Sequence, residues 1–343
     1  MKIFLYVIVS TFFLACGGPK DATKLFDIQL EGQKKQFQKN QQVGVSIKNK
    51  KNLNITKVEY FIDGELLPLT NEKLTFDIER LGSKILIAKI NFEDTSVDIT
   101  KKIKVLAEKS PEIYTYEILN TYPHDKTSFT QGLEFKNDTL YEGTGHRGES
   151  VLRKLNYKTG KVLQEVSLDD SVFGEGLTVL KDKIYQLTWQ SGLGYVYHKS
   201  DLSKIETFSY GKSKEGWGLC NDGEKIFKSD GTEKIWILDP ENLIETDFIE
   251  TVTNKSIFNK ANELEYVNGK IYANVWQKES MMIIDAKSGA IEGVINFGGL
   301  KSKVEQHPKL DVLNGVAYHP GRKTFFVTGK NWDKLFEVNI IKK

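Results

Sequence analysis

The chain has 343 residues, 39% of them hydrophobic and 27% charged, with 48 Lys plus Arg set against 46 Asp plus Glu. This is the composition of a folded chain long enough for two domains, and it excludes both an integral membrane protein and a disordered one. The near-neutral balance, with no block of like charge, excludes the basic footprint of a nucleic-acid-binding surface.

In chain order, the first feature is Lys2 followed by an apolar run from Ile3 to Ala15, too short to cross a bilayer as a helix. It reads as a signal peptide over residues 1–15. The run ends Phe13-Leu14-Ala15-Cys16-Gly17, which resembles a bacterial lipobox with Phe13 at the position usually held by Leu. The expectation is a lipoprotein of the cell envelope, with residues 16–20 as a tether and acyl chains on Cys16 anchoring it to a membrane surface. Only Cys220 then remains, so no internal disulfide can form, and Cys220 reads as a small buried hydrophobe.

Residues 21–109 carry short alternating runs bounded by turn residues. Examples are Val43 to Ile47, Val58 to Ile62 closed by Asp63-Gly64, Leu74 to Ile78, Ile85 to Ala88 and Val97 to Ile99. Period two means strands, and this rhythm predicts an immunoglobulin-like β-sandwich. Nothing in it suggests chemistry.

After Ser110-Pro111 a repeat begins. Strands open on an apolar anchor in Gln131-Gly132-Leu133, Glu175-Gly176-Leu177, Trp217-Gly218-Leu219, Asn262-Glu263-Leu264 and Asn314-Gly315-Val316, at intervals of 44, 42, 45 and 52 residues. Periods of 40 to 50 residues indicate propeller blades. The first period holds four strands and the fifth only three, while an orphan strand, Ile113 to Leu119, stands before the first. The expected fold over residues 112–343 is therefore an all-β, five-bladed β-propeller in which the orphan strand pairs with the last blade and closes the ring.

In such a ring the residues two positions before the anchors converge on one mouth: Gln131, Glu175, Trp217, Asn262 and Asn314. Antiparallel pairing brings the ends of the second strands beside them, namely Thr144, Trp189, Asp230, Trp276 and Lys330, with Phe129 and Phe173 alongside. These residues differ from blade to blade, whereas positions selected for packing alone would repeat one type.

Several stretches carry a family resemblance. They include Tyr122-Pro123-His124-Asp125, Phe129-Thr130-Gln131-Gly132-Leu133, Phe173-Gly174-Glu175-Gly176-Leu177-Thr178 and Gly216-Trp217-Gly218-Leu219. Further on are Asn262-Glu263-Leu264-Glu265-Tyr266, Asn274-Val275-Trp276-Gln277, Leu313-Asn314-Gly315-Val316-Ala317 and Val327-Thr328-Gly329-Lys330-Asn331-Trp332. In this order and spacing they resemble the plant and bacterial glutaminyl-peptide cyclotransferases, from about residue 112 onward. The resemblance implies a five-bladed propeller that converts the N-terminal Gln of peptides or proteins to pyroglutamate with loss of ammonia. It also implies a pocket of Phe129, Gln131, Phe173, Glu175, Trp189, Trp217, Asn262, Trp276 and Lys330, with Glu175 as the acid/base. Ala261 and His146 depart from the family pattern at the rim.

The chemistry agrees with these residue types. One carboxyl group can accept the proton of the attacking amine and return it to the leaving nitrogen, and aromatic walls would raise its pKa. Lys330 or the Asn262 amide can stabilise charge on the carbonyl oxygen. No cofactor is required and no residue is assigned to a metal, although a structural cation in the channel stays open. The chain is expected to act as a monomer. Two rival readings are a metal-dependent, lactonase-like propeller hydrolase and a non-catalytic, peptide-binding propeller on the cell surface.

Overall fold

Turn residues punctuate short apolar runs along almost the whole chain, and in the computed structural model, which describes residues 22–343, nearly every such run is a β-strand. The expected signal peptide and Cys16 lie outside the described residues. Two compact units are present. The first comprises the described residues up to Lys35 with Gln41–Phe76 and Lys84–Ile103, and the second comprises Gln36–Asn40, Asp77–Ser83 and Lys104–Lys343.

The first unit contains two sheets. In one, Phe26–Leu30 pairs antiparallel with Gln42–Asn49, which pairs with Lys73–Thr75. In the other, Ile55–Ile62 pairs antiparallel with Gly82–Phe92 along its length. Alternation places Phe26, Ile28, Val43, Leu74, Leu86, Ala88 and Ile90 inside, with Phe26 and Phe92 meeting edge to face at 5.1 Å.

The second unit holds three separate four-stranded antiparallel sheets and one eight-stranded sheet made of two further four-stranded antiparallel groups, counted below as the fourth and fifth sheets. The first runs Thr130–Lys136, Thr139–Thr144, Val151–Asn156 and Lys161–Ser167, and the second runs Gly174–Leu180, Lys183–Thr188, Leu193–His198 and Lys204–Ser209. The third and fourth begin at Leu219–Asn221 and Ala261–Val267. The fifth is Leu313–His319, Thr324–Gly329 and Lys334–Lys342, completed by Glu112–Pro123. First strands are buried on both faces, whereas the fourth strands of the first two sheets are largely exposed.

Five apolar clusters join each sheet to the next. Tyr141 and Leu152 pack with Leu177 and Ile184 between the first and second sheets, and Leu187 with Leu219 and Trp236 between the second and third. Phe227 packs with Leu264 and Met282, and Ile295 with Val316 and Phe336. The fifth cluster, Leu133, Phe135 and Leu140 with Ala317, Phe326 and Leu335, joins the last sheet back to the first, so the cycle of contacts closes.

Glu112–Pro123 pairs antiparallel with Lys334–Lys342, as the count of strands required, and is longer than the run anticipated for it. Its first residues do something the sequence did not announce: Glu112, Ile113 and Tyr114 pair in parallel with Gly293, Val294 and Ile295 of the fourth sheet. One strand thus ties two neighbouring sheets together.

Four of the five sheets share a local irregularity. Pairing between first and second strands slips by one residue between Thr130 and Gly132, Gly174 and Leu177, Ala261 and Leu264, and Leu313 and Val316. The bulges contain Gln131, Glu175 with Gly176, Asn262 with Glu263, and Asn314 with Gly315, all freed from the regular ladder at the same end of their sheets.

Candidate active site

The bulges and the strand ends beside them surround a cavity of about 300 Å³. Its walls include all nine residues anticipated for the pocket. Gln131, Glu175 and Asn262 come from the starts of first strands, Trp217 stands two residues before one, Phe129 and Phe173 precede two of them, and Trp189, Trp276 and Lys330 follow second strands. Thr144, Asp230 and Asn314, expected at the same mouth, do not line it. The Thr144 hydroxyl accepts the Val151 amide, and Asp230 accepts the Trp236 indole at 2.7 Å.

Backbone pairing explains the convergence. The amides of Trp189, Trp276 and Lys330 donate to the carbonyls of Phe173, Lys260 and Val312, and in the first sheet Gly145 donates to Phe129 in the same way. A Cβ on Gly145 would collide with the rings of Phe173 and Phe129. Glycine there lets those rings meet edge to face at 6.0 Å, with Trp189 against Phe173 at 5.6 Å and Trp276 against Trp217 at 5.7 Å. His146, exposed at the rim, lies 4.1 Å from the Phe129 ring.

A chain of amides holds the polar side of the cavity. Asn314 Nδ2 donates to the Thr130 carbonyl at 2.9 Å and to Gln131 Oε1 at 3.1 Å, and Gln131 Nε2 donates to Glu175 Oε1 at 3.1 Å. Asn314 Oδ1 accepts from Asn262 Nδ2 at 3.0 Å. A backbone carbonyl can only accept, so Thr130 dictates which end of Asn314 is the amine, and the orientations of Gln131 and Asn262 follow. Asn262 therefore commits one amide hydrogen to Asn314. Glu175 Oε2 is buried and has no hydrogen-bond partner from the protein.

Burial pushes the Glu175 carboxyl well above the usual carboxylate range, with Lys330 opposing the shift and Glu215 adding to it. Burial likewise lowers the Lys330 ammonium, against the pull of Glu175 and Asp311. Lys330 Nζ sits over the Phe129 ring, 4.5 Å from its centroid. Behind this wall, Glu142 binds His124 at 3.0 Å, the Thr130 hydroxyl at 2.7 Å and Arg153 at 2.7 Å. Burial alone would raise the Glu142 carboxyl, but Arg153 and His124 hold it far below the normal range.

Residues 88–340 match the glutamine cyclotransferase family. The chain belongs to that family. It is 39% identical over 234 residues to the glutaminyl-peptide cyclotransferase of Arabidopsis thaliana, covering 67% of this chain and 73% of that protein. It is also similar to the crystal structure of Myxococcus xanthus glutaminyl cyclase, with a TM-score of 0.63 and 33% identity over 68% of this chain and 99% of that one.

In this cyclotransferase-family chain the cavity has three further lining residues, Gln277, Asp311 and Val312. The repeat register could have found Val312, since it stands two residues before Asn314 as Phe129 stands before Gln131 and Phe173 before Glu175. The same register picks out Glu215, two residues before Trp217. Gln277, at φ 61°, and Lys260, at φ 72°, hold strained backbone at the rim and carry no local sequence signal for it. Among the described residues, no group of three or more His, Cys, Asp and Glu is placed to hold a metal ion, and no helix is long and apolar enough to cross a membrane.

Proposed function

We propose that this protein closes the N-terminal glutamine of peptides or proteins into pyroglutamate and releases ammonia, with Glu175 moving the proton. The observation that carries the reading is the buried Glu175 carboxyl group in a cavity walled by aromatic rings, one oxygen held by Gln131 and the other without a protein partner, whereas Asp311, the other carboxyl group lining the cavity, is only partly buried. In an N-terminal glutamine the amine and the γ-amide carbonyl are already tethered, so a cavity that folds the side chain back supplies most of the orientation. The bond from the α-nitrogen to the amide carbon forms, the bond from that carbon to the amide nitrogen breaks, and one proton passes between the two nitrogens. Glu175 Oε2 is the oxygen available for that transfer, and its elevated pKa brings it closer to the amine it must relieve. Lys330 supplies positive charge for the developing oxyanion, and Asn262 retains one amide hydrogen that can assist. The rings of Phe129, Phe173, Trp189, Trp217 and Trp276 exclude water that would hydrolyse the amide to glutamate.

Nothing in these steps calls for a cofactor, and turnover is expected to survive chelation. Glu175→Gln should lower ammonia release from a Gln-peptide by about 10²-fold or more, read by mass spectrometry, while leaving the melting temperature unchanged or raised. Full turnover in that variant would place the proton transfer elsewhere.

The closed cycle of five sheets supports a five-bladed propeller, and the two facing sheets of the first unit support an immunoglobulin-like sandwich. Residues 1–15 serve as a signal peptide and Cys16 as the lipid attachment point of an envelope lipoprotein that acts as a monomer. Metabolic palmitate labelling that persists in Cys16→Ala would refute the anchor.

A further inference from the structure

Just behind the cavity wall stands a carboxylate that the reaction above does not use. Glu215 Oε2 accepts the indole N–H of Trp189 and that of Trp217, each at 2.9 Å. The two rings come from different sheets. An indole has one donor and no acceptor, so this oxygen is the hydrogen-bond partner that sets the rotation of both rings. Glu215 is itself pinned. Lys228 Nζ donates to its carbonyl at 2.9 Å, and Lys228 is a fully buried cation that pairs with Glu245 at 3.2 Å and lies over the Tyr210 ring at 4.0 Å. Glu245 also accepts the backbone amide of Ser213 at 2.9 Å. A buried ion pair persists only where its remaining hydrogen-bonding capacity is met, and here the groups that meet it belong to the segment carrying Glu215.

We propose that Glu215 is a positioning residue for the cyclisation: without lining the cavity, its carboxylate fixes the orientation of the Trp189 and Trp217 indoles that form one wall of it. The inference rests on the cyclotransferase reading. A second effect follows from charge. The groups facing Glu175 are Lys330, with Asp311 beside it, Tyr210 and Glu215, and of these Glu215 adds to the burial that favours the neutral acid while Lys330 opposes it. Removing the Glu215 charge therefore lets Glu175 ionise at lower pH.

Two variants separate the contributions. Glu215→Gln keeps an acceptor oxygen and the shape but not the charge, so the acid limb of its kcat/KM profile for a Gln-peptide should move down by roughly half a pH unit or more. Glu215→Ala removes the acceptor too, and should add a loss in kcat/KM of roughly tenfold or more, expressed partly as a raised KM. In ¹⁵N spectra of the five indoles, the Trp189 and Trp217 signals should shift in Glu215→Ala while that of Trp236, bonded to Asp230, stays in place and reports an intact fold. Unmoved Trp189 and Trp217 signals, or kcat/KM in Glu215→Ala within twofold of wild type at every pH, would overturn the proposal. Should the wild type release no ammonia at all, the reading of the reaction fails, whereas the indole signals still decide whether Glu215 orients the rings.

Discussion

Asn314 does not line the cavity, yet it determines what Glu175 meets there. By donating to a backbone carbonyl it fixes the polarity of three amides, its own and those of Asn262 and Gln131, and Gln131 offers an N–H to Glu175 Oε1. A donor on a carboxylate favours its charged form. In the proposed reaction, Gln131→Leu removes that donor, so the acid limb of kcat/KM should move to higher pH, opposite to the shift for Glu215→Gln. A loss of roughly ten- to a hundredfold in kcat/KM should accompany it. A limb that stays in place would mean that Gln131 does not tune Glu175. Gln131, Glu175, Trp217 and Asn262 were legible in the sequence because each stands two residues before a repeating apolar anchor. The work of Asn314 was not, although it shares that register. Its partners Thr130 and Gln131 lie 184 and 183 residues away and become neighbours only when the last sheet meets the first.

Among the elements, the strand Glu112–Pro123 ties two sheets of the second unit together, and its attachment is more than a backbone ladder. The buried Glu337 carboxylate on the facing strand accepts from Asn120 at 2.7 Å, Tyr122 at 3.1 Å, Thr324 at 2.7 Å and Arg322 at 2.6 Å. Burial would raise its pKa, but these donors, led by Arg322, pull it down to about 2. A depressed carboxyl contributes stability that is present above its unfolded pKa of about 4.3 and is lost as pH falls toward the folded value. The wild type should therefore lose melting temperature steeply between about pH 4.5 and 2, and Glu337→Gln should flatten that limb while starting from a lower value at pH 7. Deleting residues 112–123 should unfold the second unit in one transition; unchanged thermal stability would refute that role. Strand period and count made this pairing legible. The parallel contact with the fourth sheet was not, because nothing local marks a strand with two partners. The repeated bulges also escaped, although the flanking glycines of Gly174-Glu175-Gly176 were a hint of irregular pairing.

At the scale of the whole molecule, five first strands pack around a common centre where the residue after each site position is Gly132, Gly176, Gly218, Glu263 or Gly315. The one side chain among them, Glu263, accepts the amides of Leu133 at 3.2 Å and Val316 at 2.8 Å, so a single carboxyl binds three sheets. Burial raises Glu263 and Glu265 well above the usual range and brings Glu134 up to about 7. For acids raised in this way, the contribution to stability is full below the unfolded pKa of about 4.3 and is lost as pH rises through the folded value. Glu134→Gln should match the wild type near pH 4 and exceed it at pH 8, by roughly 1 to 3 kcal/mol, in denaturant or thermal unfolding; equal stability at both pH values would show that the site tolerates the charge. The ring closure described above also has a consequence in time. Synthesis delivers Glu112–Pro123 before any of the five sheets and delivers its partner Lys334–Lys342 after all of them. Until Lys334–Lys342 leaves the ribosome, Glu112–Pro123 has no antiparallel partner and the first sheet presents Leu133 and Phe135 without Phe326 and Leu335 to cover them. Each nascent chain is thus exposed to mispairing and aggregation from the synthesis of the first sheet until that of Lys334–Lys342.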